Sequence, residues 1–141
     1  IRPDQTIIDI GTGSGILGII AAKMGAQKVI GVDIDPVAVK VAKENVAYNH
    51  VEDQMEVYAG NLIDVVKEKG QIVVSNIIAD VIIMLADQVE QVITEEGIWI
   101  ASGIIQMRKD DVIAAIEANG FEIIEIHEQK EWVAVVARRR K

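Results

Sequence analysis

The chain has 141 residues, a length typical of a single domain that buries about 70% of its unfolded surface. Half of the residues are hydrophobic, 4% are aromatic and the formal net charge is −8, which disfavours binding to the phosphate backbone of a nucleic acid. The absence of cysteine excludes disulfides and thiolate metal ligands and fits a cytoplasmic protein, and the apolar runs are far shorter than the roughly 20 residues that span a membrane.

Apolar runs, periodic patterns and turn residues divide the chain into strands and helices. In chain order we predict a strand at 5–10, a helix at 16–23, a strand at 28–33, a helix at 36–49, a strand at 55–59, a helix at 62–69, a strand at 71–76, a helix at 79–93, a strand at 97–102, a helix at 110–119 and strands at 121–127 and 132–137. The chain ends in three arginines and a lysine, residues 138–141, which we interpret as a frayed, solvated tail rather than a site for an anionic partner.

Strands and helices alternate five times, which is typical of a parallel sheet with helices on both faces. The last two strands are separated by too few residues for a helical crossover, so they should pair antiparallel. We therefore predict an α/β fold with a Rossmann-like, seven-stranded sheet, mostly parallel with an antiparallel last strand. Ligands of such sheets bind beyond the C-terminal ends of the strands. Residues 11–15, Asp33, Asn61 and Asn76 follow strand ends and should meet there.

The loop after the first strand contains a glycine pattern that fits two registers. "DIGTGSG" (9–15) matches D-x-G-x-G-x-G, a pattern of S-adenosylmethionine sites, whereas "GSGILG" (13–18) matches the dinucleotide fingerprint G-x-G-x-x-G. A dinucleotide motif should begin where the strand ends, at Gly11, but its third glycine would then be Ile16. Starting at Gly13 leaves Gly11 and Thr12 without a role. We therefore favour methyl transfer, with a nicotinamide cofactor and hydride transfer as the alternative.

Four polar side chains near strand ends are candidates for the site. Asp33 can accept hydrogen bonds from both ribose hydroxyls of a cofactor, since the neighbouring Asp35 already serves as the helix N-cap. Asp9 either braces the glycine loop or reaches the ammonium group of the cofactor. Asn61 either accepts from an adenine amine or forms a turn. Asn76 ends the fourth strand, where a methyl acceptor must approach.

The sequence gives little support for a metal site or for a general base. Asp33 and Asp35 alternate along an extended segment and do not face one point, so we predict no metal site. His50 and His127 are interpreted as structural or solvated residues, which leaves no convincing general base.

Several stretches resemble a known family. "DIGTGSGILGIIAAKMGAQKVIGVDIDPVAV" (9–39) resembles the cofactor-binding core of class I S-adenosylmethionine-dependent methyltransferases. "NIIAD" (76–80), "ASGIIQMRKDDV" (101–112) and "GFEIIEIHEQKEWVAVVARR" (120–139) narrow the resemblance to the ribosomal protein L11 methyltransferase family (PrmA). The glycine motif is specific only to the superfamily, and the other three stretches together indicate the family across nearly the whole chain.

The resemblance implies roles for the candidate residues. The glycines would line the methionine and ribose of S-adenosylmethionine, Asp33 would hold the ribose, Asn61 would lie beside the adenine, and Asn76 would orient the acceptor amine next to the donor methyl. We predict a catalytic role for Asn76, and cofactor binding by Asp9, Gly11, Thr12, Gly13, Gly15, Asp33, Asn61 and Asn76. The family methylates lysine side chains and the N-terminal amine of a ribosomal protein, which is the expected partner.

One departure from the family concerns domain organisation. Family members carry an N-terminal domain that recognises the ribosomal protein, and a linker with a Gly-Thr-Gly-x-His stretch near the cofactor. Neither is found here, so residues 1–141 are interpreted as a catalytic domain without the substrate-recognition domain. Methylation of another protein, an RNA or a small molecule by the same core remains an alternative. The sequence does not indicate the oligomeric state.

Overall fold

The computed structural model describes residues 1–141, with side chains described for residues 1–62 and 64–141. The strands and helices, in chain order, are β1 (Thr6–Ile10), α1 (Ile16–Lys23), β2 (Lys28–Asp33), α2 (Pro36–Tyr48), β3 (Met55–Ala59), α3 (Leu62–Val65), β4 (Gly70–Asn76), α4 (Ala79–Val89), β5 (Ile93–Ile105), α5 (Lys109–Ala118), β6 (Phe121–Gln129) and β7 (Trp132–Arg139). Short 3₁₀ turns follow α4 and precede α5. Among the helices described, none combines the length and the apolar character needed to cross a membrane.

The seven strands form one sheet in the order β3-β2-β1-β4-β5-β7-β6. The pairs among β1 to β5 are parallel, whereas β7 pairs antiparallel with both β5 and β6. Only Lys130 and Glu131 connect β6 to β7, and this connection is too short for a crossover. The predicted fold, with an antiparallel last strand, is confirmed.

Two hydrophobic clusters cover the opposite faces of the sheet. Alternate side chains of β1 separate between them, because successive residues of a strand point to opposite faces: Ile7 joins one cluster and Ile8 joins the other. The first cluster contains residues of α1 and α2, and the second contains residues of α4 and α5. Helices therefore lie on both faces, as the alternation of elements predicts.

Three predicted elements differ from the observed ones by more than two residues at an end. The helix predicted at 62–69 ends after four residues, because Val66 turns extended and buries its side chain in the core. The helix predicted at 79–93 ends at Val89, and the β-branched Ile93 instead begins β5 opposite Gly70 of β4. β5 then runs for 13 residues rather than the predicted six, 97–102, and contains an irregularity opposite β7.

The basic C-terminal end is not the frayed tail that we expected from the sequence. Nε of Arg138 donates to Glu122 at 2.6 Å, and Nη2 of Arg139 donates to the carbonyls of Glu90 and Ile93. Nη2 of Arg140 donates to the carbonyl of Glu117, in the last turn of α5, and to that of Phe121, the first residue of β6. The guanidinium groups of Arg139 and Arg140 stabilise carbonyls at helix and strand ends, so the three arginines belong to the folded domain.

Candidate active site

The loop between β1 and α1 is held by glycines in left-handed conformations. Gly11, Gly13 and Gly15 have φ values of 69°, 56° and 87°, which disfavour any residue with a Cβ. A Cβ on Gly11 would also lie 2.4 Å from Cγ2 of Ile77, because the loop passes against the segment that follows β4. By contrast, Gly18 lies inside α1, where a Cβ would meet Met55 at 2.6 Å. Gly18 therefore serves helix packing, whereas Gly11 faces the cleft.

Asp9 stabilises this loop through a hydrogen bond with Thr12. Its side chain is 2% exposed, and Oδ2 accepts a hydrogen bond from Oγ1 of Thr12 at 2.8 Å. Burial, with a smaller contribution from the charge of Asp33, raises the pKa of Asp9 to about 6, although the hydrogen bonds from Thr12 and from the backbone of Gly18 act to lower it. Thr12 in turn lies against Gly31 of β2, where a Cβ would come within 2.9 Å of the hydroxyl. These contacts of Asp9, with Thr12 and with the backbone of Gly18, are the ones expected if Asp9 braces the glycine loop.

Asp33 lies at the end of β2 and connects the glycine loop to α2. Its Oδ2 accepts from the backbone N–H of Gly13 and its Oδ1 from that of Asp35, each at 3.0 Å. Asp35 is the N-cap of α2, as predicted, since its carboxylate accepts from the N–H of Val37 at 2.9 Å. A carboxylate oxygen has two lone pairs, so each oxygen of the half-buried Asp33 can accept one more donor.

A cavity of ≈ 240 Å³ opens beside these residues at the C-terminal ends of β1, β2 and β3. Its polar lining residues are Asp33, Asn61 and Gln88. Its apolar walls come from the loop after β2, from α3 and from α4, and include Ile34, Leu62, Val81, Met84 and Leu85. The sequence analysis missed the contribution of α4. Met84 is 66% exposed and lies outside the buried stripe of α4. An apolar residue outside that stripe was the one feature of the sequence that could have indicated the role of α4.

Asn61 is exposed and lies directly before α3, after Gly60, whose N–H donates to the carbonyl of Asp33 at 3.0 Å. Its side chain does not cap α3 and has only a long contact of 3.4 Å to Asp64. A role in the turn accounts for the position of Asn61. Within the described residues, however, its amide has no short hydrogen bond.

Asn76 ends β4 and lines a second cavity of ≈ 470 Å³ together with Ile77, Ile78, Gly103 and Trp132. Ile77 also lines the first cavity, so this residue borders both cavities. The Asn76 side chain is exposed, and within the part of the chain that the structure describes its amide forms no hydrogen bond. An uncommitted amide in the larger cavity, directly before the residue that both cavities share, can bind a group that enters the larger cavity.

A residue that the sequence analysis overlooked also holds the loop. Nδ2 of Asn45, on α2, donates to the carbonyl of Ser14 at 2.8 Å. Asn45 lies one turn before Asn49 on a half-buried face of α2, and a polar residue on that face was the only signal. His50 and His127 are exposed, as expected. The described residues contain no group of three or more histidines, cysteines and carboxylates that could hold a metal ion.

Comparison with known proteins gives consistent results. Residues 1–140 match the family described as ribosomal protein L11 methyltransferase (PrmA). The chain is 51% identical over 138 residues to a ribosomal protein L11 methyltransferase of Clostridium perfringens, which is 98% of this chain and 44% of that relative. It thus spans less than half the length of the curated relatives it matches.

Solved structures of methyltransferases superpose on this chain. A ribosomal protein L11 methylase from Lactobacillus delbrueckii subsp. bulgaricus superposes with a TM-score of 0.91 at 32% identity, over 97% of this chain and 71% of that one. A tRNA m1G37 methyltransferase of M. jannaschii superposes over all of this chain and 46% of that one, with a TM-score of 0.85. At 21% identity the second similarity concerns the fold alone.

Proposed function

The chain belongs to the ribosomal protein L11 methyltransferase family, and on that premise we propose that it is a catalytic domain that transfers methyl groups from S-adenosylmethionine to amines of this ribosomal protein. The acceptors are lysine side chains and the N-terminal amine. The observation that carries the proposal is a pair of cavities that share Ile77 as a lining residue, with Asn76 in the larger one. A reaction between two bound molecules requires such an arrangement.

The smaller cavity fits the methyl donor. Gly11 lines this cavity without a side chain, and each oxygen of Asp33 retains a lone pair for a ribose hydroxyl. The apolar walls of α3 and α4 suit the adenine, and Asn61 in the lining offers an amide to its exocyclic amine. Asp9 and Thr12 contribute indirectly, because their hydrogen bond fixes the loop that includes Gly13 and Gly15.

The larger cavity fits the acceptor amine. S-adenosylmethionine supplies a methyl group on a sulfonium, which is already an activated leaving group. The chain therefore needs to align the amine lone pair and exclude water, rather than to supply strong acid or base. Oδ1 of Asn76 can accept an N–H of the neutral amine and so direct its lone pair. Because Asn76 cannot take a proton, the methylated ammonium formed by the transfer loses its surplus proton to solvent afterwards.

Recognition of the ribosomal protein involves more than this domain in our proposal. The chain spans 44% of the length of its curated relatives, so most of their residues have no counterpart here. We propose that an N-terminal domain completes recognition, and that the net charge of −8 assists by attracting a basic protein. The reaction is proposed to take place in the cytoplasm.

The experiment measures the donor and acceptor sides separately. Calorimetry compares S-adenosylhomocysteine with NAD, and radiolabelled methyl transfer to purified ribosomal protein follows turnover at low salt. We expect binding of the first ligand only, and a lower methylation rate for Asn76→Ala with an affinity for S-adenosylhomocysteine within a few-fold of the parent. Gln91→Ala, an exposed amide beyond the far end of α4, is the matched control. Binding of NAD instead would overturn the proposal, and loss of ligand binding in a folded Asn76→Ala would assign Asn76 to the donor side.

A further inference from the structure

Gly103 lies in an irregular part of β5 that faces Asn76. The pairing of β5 with β7 shifts register between Ala101 and Ile104, so the backbone at Gly103 leaves the regular ladder. On its other side, β5 still pairs with β4, and Ser102 is opposite Asn76. Gly103 has a φ of 78° and lines the same ≈ 470 Å³ cavity as Asn76.

The space that a side chain would need at Gly103 is already occupied. A Cβ built there would lie 2.6 Å from Oδ1 of Asn76, and 3.2 Å and 3.3 Å from the carbonyl oxygen and nitrogen of Ile77. The Ile77 contacts are to backbone atoms and have little freedom to move. The Asn76 amide would therefore have to move, and its terminal torsion is a broad one that permits this.

The contact with Gly103 matters because little else fixes the amide. Among the described residues no hydrogen bond holds it, and the side chain is exposed. Oδ1 lies beside Gly103, 2.6 Å from the point that a Cβ would occupy, so the missing side chain is what leaves this oxygen its position. We propose that Gly103 is a positioning residue, which keeps the Asn76 carboxamide directed at the acceptor amine by having no side chain. This inference rests on the proposed function.

A purely conformational explanation for this glycine makes a different prediction. If Gly103 were needed only for its positive φ, alanine there would act like alanine at another left-handed glycine. Gly120, after α5, has a φ of 90° and no atom within 4 Å of a built Cβ. Gly120→Ala therefore has the backbone strain without the collision, which makes it the matched control.

The test combines kinetics with a mutant cycle of Gly103→Ala and Asn76→Ala. We expect Gly103→Ala to lower kcat roughly 10- to 100-fold, as for a displacement of about 1 Å, with affinity for S-adenosylhomocysteine within a few-fold of the parent. Gly120→Ala should keep the parent kcat. In the double variant the effects should not multiply, and kcat should equal that of Asn76→Ala. Multiplying effects, or an unchanged kcat in Gly103→Ala, would overturn the inference.

Two further measurements keep the inference testable without turnover. The side-chain amide signals of Asn76 in a ¹⁵N–¹H spectrum, assigned by their loss in Asn76→Ala, should move in Gly103→Ala and stay in Gly120→Ala. Unmoved signals would refute the positioning role even if the chain methylated nothing, whereas absent methylation with moved signals would refute the proposed function alone. If Gly103→Ala unfolds, the added Asn76→Ala should restore stability, and failure to do so would also refute the contact.

Discussion

Replacing Asp9 with asparagine removes a buried charge and can keep both hydrogen bonds of the side chain. The Asp9 carboxylate accepts from Thr12 and from the backbone of Gly18. In Asp9→Asn, the amide oxygen can accept from the Gly18 N–H while the amide nitrogen donates to the Thr12 hydroxyl, which can act as an acceptor. The substitution is nearly isosteric, so its main effect is on the cost of burying a charge.

The size of that cost follows from the pKa of Asp9. Burial raises it from 3.8 to about 6, so at pH 7 the ionised carboxylate disfavours the folded state by about 3 kcal/mol relative to the neutral form. The folded pKa lies above the unfolded one, so the folded state binds more protons between these two values. Lowering the pH from 7 to 5 should therefore stabilise the parent by about 1 kcal/mol through this group. Asp9→Asn lacks this gain.

The assay is urea unfolding of the parent and of Asp9→Asn at pH 7 and pH 5. We expect Asp9→Asn to be the more stable at pH 7, with an advantage that shrinks by about 1 kcal/mol at pH 5. Asp53→Asn changes the net charge equally at an exposed residue and should show no such pH-dependent difference. An advantage that is independent of pH, or a variant less stable than the parent at pH 7, would refute the reasoning from burial.

The same variant decides between the two roles considered for Asp9. If Asp9 only braces the loop, Asp9→Asn should bind S-adenosylhomocysteine within a few-fold of the parent, because the brace remains. A contact with the ammonium of the ligand would be a charge-assisted hydrogen bond, and its loss should weaken binding at least about tenfold.

Three further predictions concern the donor side and the acceptor. Asp33→Ala should weaken S-adenosylhomocysteine binding in calorimetry by roughly 30- to 1000-fold, since two charge-assisted hydrogen bonds contribute roughly 2–4 kcal/mol after non-additivity; unchanged affinity would remove Asp33 from the site. Asn45→Ala should lose about 1 kcal/mol in urea unfolding, because the Ser14 carbonyl loses its donor. Methylation of the ribosomal protein by this chain alone should be slow and should fall further from about 0.01 M to about 1 M salt, as the screening length drops from about 30 Å to about 3 Å; a rate equal to that of a full-length relative would refute the need for a further domain.

Local patterns predicted much of the fold because sequence and tertiary structure agree there. The bounds of α1, β2 and β3 match the prediction, since each lies between clear turn residues. The Asp35 cap is confirmed, because capping depends on neighbouring residues alone. The resemblance to the family is confirmed as well. The assigned ligand contacts of the glycine loop, Asp33, Asn61 and Asn76 stay predictions.

Tertiary contacts decide the features that the sequence did not predict. Val65, Val66 and the charged residues after them can form a helix, but burial of Val66 requires an extended backbone at that point. Asn45 and Met84 lie on helices, and only the packing of those helices brings them to the loop or the cavity. The contact of Gly103 with Asn76 likewise depends on a local irregularity of β5 that no residue pattern marks.

The way the glycine loop is held has a consequence for the speed of ligand binding. Hydrogen bonds within the chain hold the loop in place. Thr12 donates to Asp9, the N–H of Gly13 donates to Asp33, and Asn45 donates to a loop carbonyl. Folding therefore removes the conformational entropy of the loop before a ligand arrives. Association should then follow a single bimolecular phase whose rate rises linearly with ligand concentration, without the plateau that a slow loop closure imposes. Differences in affinity among loop variants should accordingly arise from the rate of dissociation.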